Sequence, residues 1–265
     1  MKQAKVWSVV LVMLLSLGSA AVVLADEEAG KGNAQVRHLE DGAIEFDSVD
    51  PFGNEVTVVI DPKLDNPVND PRDDPWNKNF RGWERDEDDQ ARGGFNKARV
   101  NLNVYAIADE EYRAAHSNWT SLLNQIIETA DNAYIRDFDI NWVIQGYYSW
   151  TSNGGSASAI LSDLASDGSG LPNGLAMGFS DDNNFNAGGI AYVYQSNPGT
   201  GFSVCLDQGT SSTTYALRHE IGHNYGASHD FGSVVCMMNY NYSYSVDYFD
   251  SAHDSLVNSR RQWFR

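Results

Sequence analysis

Residues 218–230 read Arg-His-Glu-Ile-Gly-His-Asn-Tyr-Gly-Ala-Ser-His-Asp, and no other stretch of the 265-residue chain limits its folding so tightly. Ahead of it, Ser211, Ser212, Thr213 and Thr214 supply N-cap candidates, and Tyr215, Ala216, Leu217 and Ile221 supply an apolar face. The pattern predicts a helix through His219 to about Tyr225. Four residues along a helix turn through about 400°, so His219 and His223 lie about 40° apart and one turn removed. Two imidazoles then point at one spot. Gly226 has no Cβ to oppose a left-handed backbone, so it can end the helix and swing His229 back toward that spot. Three of the six histidines in the chain fall within these eleven positions.

A catalytic zinc takes three protein ligands and keeps a fourth position open, which matches His219, His223 and His229. Glu220 follows the first ligand on a different azimuth, where it can reach a water at the metal without binding the metal itself. That is the position of a general base. The alternative is a set of histidines satisfied by ordinary hydrogen bonds on a helix face. A glutamate from a later helix is ruled out as third ligand, because Glu220 is the only glutamate after Glu128. Asp230, directly after His229, fits a supporting hydrogen bond better than a ligand role.

The string His219-Glu220-Ile221-Gly222-His223-Asn224-Tyr225-Gly226-Ala227-Ser228-His229-Asp230 resembles the reprolysin and adamalysin branch of the metzincin zinc proteases. Cys236-Met237-Met238 is similar to that branch's Met-turn, which would put Met238 beneath the metal as an apolar floor. The resemblance covers about residues 98–265. It implies an α/β (α+β) catalytic domain, with a mixed twisted sheet, an active-site helix and a small C-terminal subdomain. It further implies one catalytic zinc ion and hydrolysis of peptide bonds in a protein or peptide substrate. The segment Gly188–Tyr194 is similar in position to the family's edge strand, which would bind an extended peptide by adding it to the sheet; the other reading is an ordinary buried strand. Tyr240 follows Met238 at the spacing of the astacin and serralysin branches. The tyrosine there can rest on zinc and swing away to stabilise charge during the reaction. Equally, Tyr240 can be one packed ring in a stretch that also holds Tyr242, Tyr244 and Tyr248. The reprolysin relatives usually carry several disulfides in the C-terminal part, whereas this chain has two cysteines in all.

The remainder of the chain sets the context. Val6 to Ala25 is an uncharged, mostly apolar run behind Lys2 and Lys5, and it reads as a secretory signal peptide (residues 1–25) cleaved before Asp26. Its length also suits an uncleaved anchor. Export would bring Cys205 and Cys236 into an oxidising compartment, where a disulfide is expected; two separate buried thiols are the alternative. A formal charge of −18 argues against a nucleic-acid partner, because that needs clustered Lys and Arg. The expected protein is a secreted monomer with no stable membrane association once the signal is cleaved.

Residues 26–92 carry 19 acidic against 8 basic side chains, and five of the seven prolines lie between Pro51 and Pro75. This composition break marks residues 26–97 as either a pro-region or an extension that stays attached. Arg81, Arg85 and Arg92 offer places to cut it. An acidic side chain from the segment is the available means of filling the metal's open position, since no cysteine occurs there. Ile44 and Phe46, the turn signal Asp50–Asn54, and Val56, Val58 and Ile60 predict a hairpin. From about Ala98 an alternating pattern begins. Strands are expected at Val100–Ala106, Phe138–Tyr147, Leu175–Phe179 and Ile190–Tyr194, with helices at Asp109–Ala133 and Ser156–Ala165. Asp181-Asp182-Asn183-Asn184 offers calcium-type oxygen ligands, although a solvated connection is the simpler reading.

A surface protein that keeps zinc only for stability is the chief rival reading, and a zinc hydrolase of non-peptide amides is another. A purely structural zinc would be closed by a fourth protein ligand, which makes the intact Glu220 count against the first.

Overall fold

The computed structural model of the chain describes residues 36–63 and 98–265. Eight strands form one mixed sheet: β1 Arg37–His38, β2 Ile44–Val49, β3 Glu55–Asp61, β4 Val100–Ala108, β5 Ile140–Ser149, β6 Gly174–Ser180, β7 Gly189–Tyr194 and β8 Thr200–Leu206. Their order is β1-β2-β3-β7-β8-β6-β4-β5. Strands β5, β4, β6 and β8 run parallel, and β7 turns antiparallel to β8. Among the described residues five α-helices accompany them: α1 Glu110–Ala115, α2 Trp119–Phe138, α3 Ala157–Asp167, α4 Thr210–Asn224 and α5 Ser251–Arg260. Strands β6, β7 and β8 are buried along their whole length, as expected of strands covered on both faces.

The hairpin expected from the alternating residues is β2–β3, with Phe46 opposite Val58 and Val49 opposite Glu55. Its turn is closed by Asp50, whose Oδ1 accepts from Phe52 N and Asn54 N. This hairpin is continuous with the sheet of residues 98–265. β3 pairs antiparallel with β7, Val56 opposite Tyr194 and Asp61 opposite Gly189, and so extends the sheet past the strand that would otherwise end it. The long helix expected over Asp109–Ala133 is broken at His116–Asn118, and α2 then runs on to Phe138 with Asp139 as a left-handed cap. Asp109 caps α1 and Ser156 caps α3 through their side-chain oxygens. Neither β8 nor α5 is announced by the alternation or helical spacing. β8 contains Gly201 and Ser203 between its apolar residues, which hides a buried strand.

Helix α4 begins one turn earlier than its Ser/Thr run implies. Gly209 is the N-cap, without a side-chain bond, and Thr213 and Thr214 lie inside the helix. Thr213 Oγ1 accepts from Gln208 N, and Thr214 Oγ1 donates to Thr210 O. From Ser212 to Asn224 every residue of α4 is buried. Arg218 donates to the Thr129 and Ala130 carbonyls near the middle of α2, and Asn224 Nδ2 donates to Tyr192 O and Phe202 O on β7 and β8. These bonds, together with the burial, hold α4 rigidly beneath the sheet.

The disulfide is not formed. Cys205 lies on β8 and Cys236 on the approach to the 236–238 turn, and both are free, buried thiols. Cys236 faces the start of α5 rather than the sheet, with its sulfur beside Asp250 and His253. No helix among the described residues is long and apolar enough to cross a membrane. The apolar run of residues 6–25 and the arginines at 81, 85 and 92 lie outside the described residues.

Candidate metal centre

Helix α4 ends immediately after the second histidine of the motif. Gly226 has φ 85°, its N–H donates to His223 O, and Ala227 N donates back to Gly222 O. This paired closure is the Schellman arrangement, and only glycine enters it without a Cβ penalty. The chain then turns back, and Asp230 bridges Asn239. His229 is thereby returned to the face of α4 that carries His219 and His223.

The three Nε2 atoms converge. They are 3.0 Å apart for His219–His229 and His219–His223, and 3.1 Å for His223–His229. Each ring is oriented by its other nitrogen. Nδ1 of His219 lies 2.6 Å from Met237 O, that of His223 lies 2.8 Å from Ala227 O, and that of His229 lies 2.9 Å from Asp41 Oδ2. Protons on Nδ1 of His219 and His223 satisfy their carbonyls, His229 Nδ1 faces the Asp41 carboxylate as an ion pair, and the three Nε2 atoms are aimed at one point. Such a set is repulsive without a cation, and Nδ1 bonds of this kind are the usual outer support of metal-binding histidines. The residues therefore fit a zinc ion. Met238 is fully buried against Gly222 of α4, in contact tight enough that a Cβ on Gly222 would lie 2.5 Å from its sulfur.

A fourth group reaches the same point from the other end of the sequence. Asp61, the last residue of β3, places Oδ1 3.0 Å from His229 Nε2 and Oδ2 3.3 Å and 3.6 Å from His219 and His223 Nε2. Both Asp61 oxygens are buried and have no hydrogen-bond donor. Burial alone would raise its pKa, but the positive charge of His219 and His229 holds it well below the ordinary carboxylate range. Conversely, burial and the neighbouring Asp61 push Glu220 well above its usual value. Burial would lower His229, yet the Asp61 and Asp41 carboxylates carry it up to about 10. His223 is driven down to about 4, chiefly by burial. The Asp61 carboxylate and the imidazoles facing it thus favour each other's charged forms.

Glu220 is fully buried and packs on the backbone of β7, where a Cβ at Gly189 would come within 2.0 Å of its Oε1. Tyr240 is half-buried, and its hydroxyl donates to the carbonyl of Pro62, next to Asp61. The structure thus brings His219, Glu220, His223 and His229 together and directs the Tyr240 hydroxyl to the N-terminal segment. Asp181–Asn184 forms a turn after β6, in which Asp182 Oδ1 accepts from Asn184 N. No local sequence pattern singles out Asp41, Asp61 or the close approach at Gly189. For Asp61 the available signal is its place at the end of an alternating strand in an acidic segment without cysteine.

Residues 98–252 match the reprolysin-type family described as metallo-peptidase family M12. A comparison with curated proteins returns no match. Among solved structures, the chain is similar to one titled as a chaperone-substrate complex. That likeness has 14% identity and a TM-score of 0.48, over 62% of this chain and 34% of the other. The chain therefore spans about a third of that structure's length. It is also similar to metalloproteinase-II from Bacteroides fragilis, with 15% identity and a TM-score of 0.41, over 84% of this chain and 77% of the other. Since the family match covers more than half of the sequence, the chain belongs to metallo-peptidase family M12.

Proposed function

We propose that this chain is a secreted zinc endopeptidase whose residues 36–63 keep it latent. The reading rests above all on the three Nε2 atoms gathered within 3.1 Å of one another, with Nδ1 of His219 and His223 held from behind by backbone carbonyls and that of His229 facing Asp41. His219, His223 and His229 would hold the metal. Zinc bound there supplies Lewis-acid polarisation of the scissile carbonyl and a nucleophilic water near neutral pH. Glu220 takes the proton of the attacking water and returns it to the departing amine. Burial against Gly189 keeps that carboxylate from rotating away and excludes bulk water from it. The apolar run at residues 6–25 supports export.

Latency is supported by two features of the N-terminal segment. Asp61 occupies the position that a substrate carbonyl or water needs, and β3 runs antiparallel along β7, the strand along which an extended substrate would lie. Substrate and segment thus compete for the same backbone hydrogen bonds and the same metal position. Release requires that β3 leave β7, which cutting within residues 64–97 would permit. N-terminal sequencing of active material tests this directly: a start beyond Asp61 is expected, and full activity with a start at Asp26 would refute it.

The catalytic assignment is tested with Glu220→Ala in processed protein. Turnover of an unfolded protein substrate should fall by about 10² to 10⁴ while zinc content is unchanged. A variant that kept more than a few percent of the rate would remove Glu220 from the reaction.

A further inference from the structure

Behind the 236–238 turn lies a second group of donors that the peptidase reading does not use. Asp230, Cys236, Asp250 and His253 each place one donor atom within 4.8 Å of all the others. His253 Nδ1 lies 2.8 Å from Asp250 Oδ1, 3.1 Å from Asp230 Oδ2 and 3.6 Å from Cys236 Sγ, and that sulfur is 3.8 Å from Asp250 Oδ1. Cys236 and His253 are buried, and both aspartates are largely so.

Hydrogen bonding does not satisfy this arrangement. Nδ1 of an imidazole carries at most one proton, yet three acceptors crowd it. Asp230 Oδ2 is buried and receives no hydrogen bond despite its closeness to the ring. Cys236 Sγ accepts two backbone N–H groups, from Asp250 at 3.2 Å and Met238 at 3.4 Å, which fix the sulfur toward the two carboxylates. Two carboxylates thus compete for one proton on a single ring nitrogen, and a cation lying among the four donors would satisfy them together.

We infer that these four side chains form a second, structural metal site, selective for a borderline-soft divalent ion such as zinc. A donor set of one sulfur, one imidazole nitrogen and two carboxylate oxygens is closed and four-coordinate, as structural zinc sites are. Bond lengths of about 2.0–2.1 Å to nitrogen and 2.3 Å to sulfur, in a tetrahedron, give an N–S edge of about 3.6 Å. The His253–Cys236 separation has that value. The site would tie three segments together: the residue after His229, the turn carrying Met237 and Met238, and the first turn of α5. It thus replaces, with a metal, the cross-link that the two unpaired cysteines do not supply.

The inference is independent of the proposed peptidase activity, and metal binding to the purified full chain tests it. Zinc content should be about two per chain, and Cys236→Ser or His253→Ala should lower it to about one. Cobalt provides the specific signature. Chelator-stripped protein titrated with Co²⁺ should develop a near-ultraviolet thiolate-to-cobalt charge-transfer band, because only this site contains a sulfur ligand. The band should survive His223→Ala, which removes the other centre, and vanish in Cys236→Ser. Asp250→Asn preserves the helix cap but removes a charge, and should weaken Co²⁺ binding at this site while the protein stays folded. A folded wild-type chain that binds Co²⁺ without the charge-transfer band overturns the inference whatever the other centre and the variants do.

Discussion

At the scale of single residues, the centre combines a part that is local in sequence with a part that is not. His219, Glu220, His223, Gly226 and His229 lie within eleven positions, so helical geometry and one left-handed glycine suffice to bring them together. Asp61 joins them from more than 150 residues away, through strand pairing that no local pattern encodes. Gly189 is visible in the sequence only as part of an expected edge strand, and its contact with Glu220 depends on how α4 lies beneath β7. Gly189→Ala should therefore displace the Glu220 carboxylate. At least about a tenfold loss of turnover is expected, with zinc retained, because a base moved by an ångström loses its alignment. Wild-type rates would show that the contact is unimportant. For Tyr240 the structure gives the hydroxyl to Pro62, so Tyr240→Phe should release the segment slightly and raise the activity of the full chain by about fivefold, the effect of one hydrogen bond. A tenfold loss of turnover in processed enzyme would mark a role at the metal instead.

At the scale of elements, alternation and helical spacing locate β2, β3, β4, β6, β7 and α3, because each is half-buried, has a clear apolar run or has a clear cap. They do not locate β8, which is covered on both faces and mixes glycine and serine with its apolar residues. Nor do they find the break between α1 and α2, where His116 meets Asp207. The disulfide expectation fails for a related reason: spacing says nothing about which way a cysteine side chain faces. Helix α2 also carries a buried carboxyl that serves no catalytic purpose. Asp131 Oδ1 accepts from Trp142 N, but burial outweighs that bond and pushes the group up to about 8. A folded pKa above the unfolded value means that the contribution to stability is whole below about pH 4 and is lost as pH rises through about 8. Asp131→Asn keeps an acceptor for Trp142 N without the charge. It should stabilise the protein, and by at least about 1 kcal/mol more at pH 8 than at pH 5. Denaturant melts at the two pH values check this, and an equal gain at both would place the charged form in the native state.

At the scale of the whole molecule, one sheet carries both the strands of residues 98–265 and those of the N-terminal segment. β3 completes the hydrogen bonding of β7, so that strand has no exposed edge here; under the proposed latency, loss of β3 would open that edge to substrate. The acidity of the segment, read from sequence as a composition break, acquires a purpose at two positions: Asp41 on His229 Nδ1 and Asp61 on the three Nε2 atoms. Latency is tested most directly by the rate of chelator-sensitive cleavage of unfolded casein by the full chain and by its Asp61→Ala variant, per mole of bound zinc. Asp61→Ala should cleave at least about tenfold faster than the wild-type chain at equal zinc content, since loss of a charge-assisted contact on the metal position opens it to substrate. An Asp61→Ala chain that binds zinc and still cleaves no faster than wild type, or cleaves equally well in the presence of chelator, would contradict it.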